Sequence, residues 1–126
     1  MGMTKRVFLV DDEVDMTQLV GALLKFKGYQ LDTSNDPEAA LERLLVEDFD
    51  CVVMDLMMPR LDGLALLEIL RSKGRNMPIV VLSAKSLEDS ERKALLSFGA
   101  RFVPKPISPT RLVQIVQETA NQPALK

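Results

Sequence analysis

The chain has 126 residues, of which 47% are hydrophobic and 27% charged, and its formal net charge is -2. This length and composition are typical of one globular domain, and a single cysteine excludes an internal disulfide. Because there is no histidine, catalytic triads and most zinc sites are excluded. The sequence has no basic block and no long apolar run, so we expect neither direct nucleic-acid binding nor a membrane span.

The first half of the chain alternates short apolar runs with helical patterns. Arg6–Val10 is apolar and rich in residues that favour a strand, and apolar residues then recur at helical spacing over Asp15–Lys27. Tyr29–Ser34 alternates in the manner of a half-buried edge strand. Asp36-Pro37 is typical of a helix start, with the acid as N-cap and proline as the first helical residue.

The second half repeats this alternation. Three further apolar runs predict strands over Cys51–Met54, Ile79–Leu82 and Arg101–Val103. Helical patterns follow each of them, with predicted starts near Leu64, at Ser86 in a capping-box pattern, and at Pro109 after Ser108. The order of one strand and one helix, repeated five times, predicts an α/β fold in which helices cover both faces of a parallel sheet.

Polar side chains follow the predicted strands at the edge where such folds bind their ligands. Asp11-Asp12 ends the first strand, Asp55 the third and Ser83 the fourth, and Lys105 follows the fifth. Three carboxylates that meet there need a compensating cation, and oxygen ligands without histidine or cysteine suit Mg²⁺. The pattern therefore predicts a phosphoryl-transfer site with an aspartate nucleophile.

The same residues carry a resemblance to the receiver domains of response regulators. The blocks that match in order and spacing are Val10-Asp11-Asp12-Glu13, Met54-Asp55-Leu56-Met57-Met58-Pro59, Asp62-Gly63, Val81-Leu82-Ser83-Ala84 and Val103-Pro104-Lys105-Pro106. The resemblance implies one receiver domain over 1–126, with a core from about 5 to 119 and a tail over 120–126. It also implies a doubly wound, flavodoxin-like (βα)5 fold with strand order 2-1-3-4-5.

The resemblance further assigns a role to each acid. Asp55 is expected to accept a phosphoryl group from a histidine kinase or a histidine phosphotransfer protein. Asp11, Asp12 and Asp55, with the backbone carbonyl of Met57, are expected to hold Mg²⁺. The chain would then be a cytoplasmic signalling switch with an unknown downstream protein target, and it would catalyse only its own phosphotransfer and dephosphorylation.

Other positions receive roles in the same way. Ser83 and Lys105 are expected to bind the phosphoryl group, and Phe102 occupies the position of an aromatic switch residue. The Lys105-Pro106 peptide bond is expected to be cis. The side chains of Met57 and Lys85 are expected to flank the path of the water that hydrolyses the phosphoryl group.

Two other classes of protein place an acid or a phosphate at the same edge of such a sheet. A metal-dependent phosphatase of the haloacid dehalogenase type needs a second aspartate two residues beyond the nucleophile, where Met57 stands. A flavodoxin-like flavin carrier needs a phosphate loop after the first strand, and Asp11-Asp12 would repel that phosphate. Both classes fit the sequence less well than the signalling switch does.

Overall fold

The computed structural model describes residues 4–58 and 61–122. The sheet strands are β1 (Arg6–Val10), β2 (Gln30–Ser34), β3 (Cys51–Asp55), β4 (Ile79–Ser83) and β5 (Arg101–Pro104). The helices are α1 (Val14–Phe26), α2 (Pro37–Val46), α3 (Gly63–Ser72), α4 (Asp89–Ser97) and α5 (Pro109–Ala120). Pro59 of the receiver-like motif and residues 123–126 of the expected tail lie outside the described residues.

All five strands form one parallel sheet in the order β2-β1-β3-β4-β5, which confirms the predicted order. The register pairs Val10 with Met54 on β3, and Asp55 with Leu82 on β4. The residues that follow β1 and β3 therefore emerge side by side at the carboxyl edge of the sheet. Within the described ranges, no helix is long and apolar enough to cross a membrane.

Successive side chains of a strand point to opposite faces, so each face of the sheet has its own core. Phe8 and Val52 pack on the face that α2, α3 and α4 cover. Val7 and Val53 pack on the other face, against α1 and α5. Both clusters are buried, so the central strands are covered on both sides, as the continuous apolar runs predict.

The predicted helix caps are confirmed at two starts and wrong at one. Asp36 accepts a hydrogen bond from the Glu38 N–H, and Ser108 accepts one from the Arg111 N–H. The fourth helix begins at Asp89 and not after Ser86, because the carboxylate of Glu91 accepts the Glu88 N–H and closes the first turn there. Ser86 is part of the loop that leads to this start.

Other differences between the structure and the sequence-based expectations are small, and most lie at the ends of elements. Helix α1 begins at Val14, one residue before the predicted start, and β2 begins at Gln30, so that Tyr29 lies outside the strand. Between β3 and α3 the chain forms a short antiparallel pair, Met57–Met58 with Leu61–Asp62, that no sequence pattern indicated.

Candidate functional site

Three acids meet at the carboxyl edge of β1 and β3. Asp11 and Asp12 directly follow β1, and Asp55 is the last residue of β3. One carboxylate oxygen from each of the three lies within 4.8 Å of the others. Asp11 and Asp55 are buried, at 7% and 6% exposure, whereas Asp12 is open to solvent. The predicted acid cluster is thus a compact, half-buried group of oxygen ligands.

Lys105 supplies the cation that this cluster requires. Its Nζ lies 2.9 Å from Oδ2 of Asp55 and 3.4 Å from Oδ2 of Asp11. Its shortest ion pair, at 2.7 Å, joins Nζ to Oε1 of Glu13. A hydrogen bond attaches the loop that carries Lys105 to the end of β4: the Lys105 N–H donates to the Ser83 carbonyl at 2.9 Å.

The electrostatics of the site favour a further positive charge. Burial raises the pKa of Asp11, although the Glu13 N–H and the charge of Lys105 act against this rise. Burial acts to lower the pKa of Lys105, but hydrogen bonds to Glu13 and Asp55 outweigh it, so this pKa is raised. One ammonium therefore pairs with Asp11, Asp55 and Glu13, and Asp12 adds a further carboxylate to the cluster, so carboxylates outnumber the cation.

Ser83 ends β4 beside the acids and is almost fully buried, with 1% exposure. Its Oγ accepts the Lys85 N–H at 3.1 Å, while its backbone carbonyl holds the Lys105 loop. In the sheet, Leu82 of β4 pairs with Asp55 of β3. Ser83 is the next residue along β4, so it lies at the carboxyl edge of the sheet. Ser83 therefore lies at the same edge of the sheet as Asp55, on the neighbouring strand.

The segment after Asp55 is fixed by backbone contacts. The Met57 N–H donates to Oδ1 of Asp55 at 2.9 Å, which orients the carboxylate. Leu56 donates its N–H to the Leu82 carbonyl at 2.8 Å and accepts the Gly63 N–H at 3.2 Å. The Met57 side chain is 57% exposed beside the site.

Glu13 is the site residue to which the sequence analysis gave no role. It stands in the quoted block after Asp11-Asp12, but no spacing rule connects it with Lys105, 92 positions away. The structure also describes the Lys105-Pro106 peptide bond and Phe102, to which the sequence analysis assigned specific features. The Lys105-Pro106 peptide bond is cis, as expected, and Phe102 is half-buried against the core.

The donor set fits Mg²⁺. Asp11, Asp12 and Asp55 offer carboxylate oxygens only, which are the ligands that a hard cation prefers. A divalent ion would also neutralise charge that Lys105 alone leaves uncompensated. Asp55 presents a carboxylate held by the Met57 N–H and by Lys105, so the arrangement can position an aspartate nucleophile beside two kinds of cation.

Comparisons of the sequence with known proteins agree on one family. A family model described as the response regulator receiver domain matches residues 7–117. The chain is 40% identical over 107 residues to the response regulator MprA of Mycobacterium ulcerans (strain Agy99), covering 84% of this chain and 46% of that protein. It is 36% identical over 109 residues to the transcriptional regulatory protein CpxR homolog of Haemophilus influenzae, covering 86% of this chain and 47% of that protein. The chain thus spans about half the length of these curated relatives.

Solved structures show the same architecture. The receiver domain of Francisella response regulator 1452 superposes with a TM-score of 0.82 at 29% identity, covering 93% of this chain and 97% of that one. The receiver domain of the Pseudomonas aeruginosa sensor histidine kinase PA1611 superposes with a TM-score of 0.78 at 26% identity, covering 95% and 100%. The latter structure has a magnesium ion coordinated in its active-site cleft.

Proposed function

Since the chain belongs to the family of response regulator receiver domains, we propose that it is a signalling switch that is phosphorylated on Asp55 in the presence of Mg²⁺. The observation that carries the proposal is the meeting of Asp11, Asp12 and Asp55 within 4.8 Å, with Lys105 bound to two of them. A receiver-type switch needs these charges at one point.

The proposed reaction moves one phosphoryl group. An oxygen of Asp55 forms a bond to the phosphorus atom of a phospho-histidine as the phosphorus–nitrogen bond breaks, and the imidazole leaves with the electron pair. Lys105 already lies 2.9 Å from Asp55 and would contact the transferred group. The hydroxyl of Ser83, next to Asp55 on the neighbouring strand, would donate to another phosphoryl oxygen.

The metal has a defined place in this proposal. Asp11, Asp12, Asp55 and the Met57 carbonyl would hold Mg²⁺, which supplies charge neutralisation to the carboxylates and the phosphoryl group. The magnesium ion in the active-site cleft of the similar PA1611 receiver supports this choice of cation. Within this chain, the absence of nitrogen and sulfur from the acid cluster supports it independently.

The proposed partners follow from the chemistry. In the cytoplasm, a histidine kinase or a histidine phosphotransfer protein donates the phosphoryl group to this domain, and a downstream protein reads the phosphorylated state. The domain would turn over no other substrate, because its reactions are its own phosphorylation and dephosphorylation. The relatives that it matches are about twice as long, so their output activities are not assigned to this domain.

The test uses a small acyl phosphate, acetyl phosphate, as donor. With MgCl₂, intact-mass spectrometry should find one added phosphate on the wild type and none on Asp55→Asn. Asp48→Asn is the matched control, because the Asp48 side chain is 96% exposed and far from the acid cluster in an ion pair with Arg75. It should be labelled like the wild type. Labelling of Asp55→Asn to the wild-type extent would overturn the proposal.

A further inference from the structure

Glu13 makes the shortest ion pair of Lys105, although it is not one of the three clustered acids. The distance from Nζ to Oε1 of Glu13 is 2.7 Å, against 2.9 Å to Asp55 and 3.4 Å to Asp11. The lysine side chain is only 10% exposed, whereas that of Glu13 is 58% exposed. Glu13 thus holds the ammonium from the solvent side of the site.

The local structure leaves the Glu13 carboxylate free for this contact. Glu13 is the N-cap of α1, but its side chain makes no capping hydrogen bond. Its backbone is fixed instead, because its N–H donates to Oδ1 of Asp11 at 2.9 Å and its carbonyl accepts from both N–H and Oγ1 of Thr17. The residue is therefore held in place by its main chain, while its carboxylate reaches Lys105.

We propose that Glu13 is a positioning residue that competes with Asp11 and Asp55 for the Lys105 ammonium and so makes those two carboxylates more available to Mg²⁺. The proposal rests on the function proposed above. Mg²⁺ and Lys105 would share Asp11 and Asp55 as partners, so each competes with the other for the same oxygens. The Glu13 carboxylate pairs with the ammonium and is not one of the three clustered acids, so it can keep Lys105 near Asp55 while the metal is bound.

The consequence is a specific dependence of metal affinity on Glu13. Without the Glu13 carboxylate, the ammonium has only Asp11 and Asp55 as ion-pair partners within the described part of the chain, and Mg²⁺ must displace it from both. Mg²⁺ affinity should therefore fall in Glu13→Gln. It should also fall in Glu13→Asp, which keeps the charge but shortens the side chain by one methylene and draws the carboxylate out of reach.

The experiment is a titration of the protein, without a phosphoryl donor, with MgCl₂, followed by the backbone amide NMR signal of Met57. That amide donates to Asp55 and reports the state of the carboxylate. We expect Glu13→Gln to raise the dissociation constant by about two- to fivefold, the range that exposed ion pairs contribute. The control is Asp15→Asn, which removes an exposed acid from the same first turn of α1 and should change the constant less.

The same variants made in a Lys105→Met protein distinguish a positioning role of Glu13 from a general effect of its negative charge on Mg²⁺ binding. In Lys105→Met there is no ammonium to hold, so adding Glu13→Gln should change Mg²⁺ affinity no more than adding Asp15→Asn does. The proposal is overturned if Glu13→Gln weakens Mg²⁺ binding equally in both backgrounds, since its effect is then that of a distant charge. It is also overturned if Glu13→Asp binds Mg²⁺ as the wild type does. A wild type whose Met57 amide does not respond to Mg²⁺ would overturn the proposed function as well.

Discussion

Substitution of Gly63 by alanine tests how the start of α3 supports the phosphorylation site. Gly63 is the first residue of α3, and its N–H donates to the carbonyl of Leu56, the residue directly after Asp55. A Cβ at position 63 would lie 3.0 Å from both Cα and the carbonyl oxygen of Leu56 and 2.9 Å from its Cδ1. Two of these three atoms belong to the backbone, which cannot rotate away.

The cost follows from this geometry. Relieving the contact requires the Leu56 main chain or the start of α3 to move by a few tenths of an ångström, and overpacking of this kind costs about 1–3 kcal/mol. The gain from lower chain entropy on replacing glycine is about 0.4–1 kcal/mol. We therefore expect Gly63→Ala to lower the free energy of unfolding by about 1–2 kcal/mol, the difference between these two terms.

Gly21→Ala is the matched control. A Cβ there would meet Cδ2 of Leu31 at 2.6 Å, but that atom is the far end of a half-buried side chain that can change rotamer. Turning the Leu31 side chain about 30° off its rotamer costs about 0.5–1.5 kcal/mol, and alanine in a helix interior gains about 1 kcal/mol over glycine. The two effects nearly cancel, so Gly21→Ala should be close to the wild type in stability.

The assay is urea unfolding followed by far-ultraviolet circular dichroism, together with the initial rate of phosphorylation by acetyl phosphate. Gly63→Ala should unfold at about 1 M lower urea than Gly21→Ala, given the usual slope for a domain of this size. It should also be phosphorylated more slowly, because Leu56 carries the Asp55 backbone with it. Equal midpoints and equal rates for the two variants would refute the argument from the Leu56 contact.

Three further predictions concern charge and lifetime. Asp11→Asn should raise the free energy of unfolding at neutral pH without Mg²⁺ in urea titrations, because burial raises the pKa of Asp11 and so disfavours its charged form. Hydrogen bonds from Arg43 and Arg6 lower the pKa of Glu47 from 4.5 to about 2, so its stabilising contribution is present above pH 4.5 and is lost as the pH falls toward 2. Glu47→Gln should therefore lose less stability than the wild type over that interval. The double variant Met57→Asn/Lys85→Glu should lose phosphate faster than the wild type. The new amide and carboxylate can accept a hydrogen bond from the attacking water, whereas Met57 is apolar and Lys85 is a donor only. Equal decay rates would exclude these positions as determinants of the lifetime.

The strands and the site were predictable because they depend on local patterns that packing reinforces. The buried runs of β3 and β4 are continuous and apolar, and parallel strands bring the residues at their ends to one edge. Asp11, Asp55 and Lys105 could therefore be placed together from sequence, and the structure joins them directly.

The remaining features depend on choices that no local pattern decides. By residue type Ser86 is the better N-cap, but the helix begins after Glu88, whose N–H donates to the carboxylate of Glu91. The ion pair of Glu13 with Lys105 joins residues 92 positions apart, and it depends on where the loop after β5 comes to lie. Only tertiary structure fixes such a contact.

The most direct test of the account is to locate the phosphoryl group chemically. Protein phosphorylated by acetyl phosphate with Mg²⁺ is treated with sodium borohydride, which reduces an aspartyl phosphate to homoserine, and the product is mapped by peptide mass spectrometry. We expect homoserine at position 55 alone, with none formed when Mg²⁺ is chelated. Homoserine at Asp11 or Asp12, or none in protein that carries phosphate, would contradict the assignment of Asp55 as the phosphoryl acceptor.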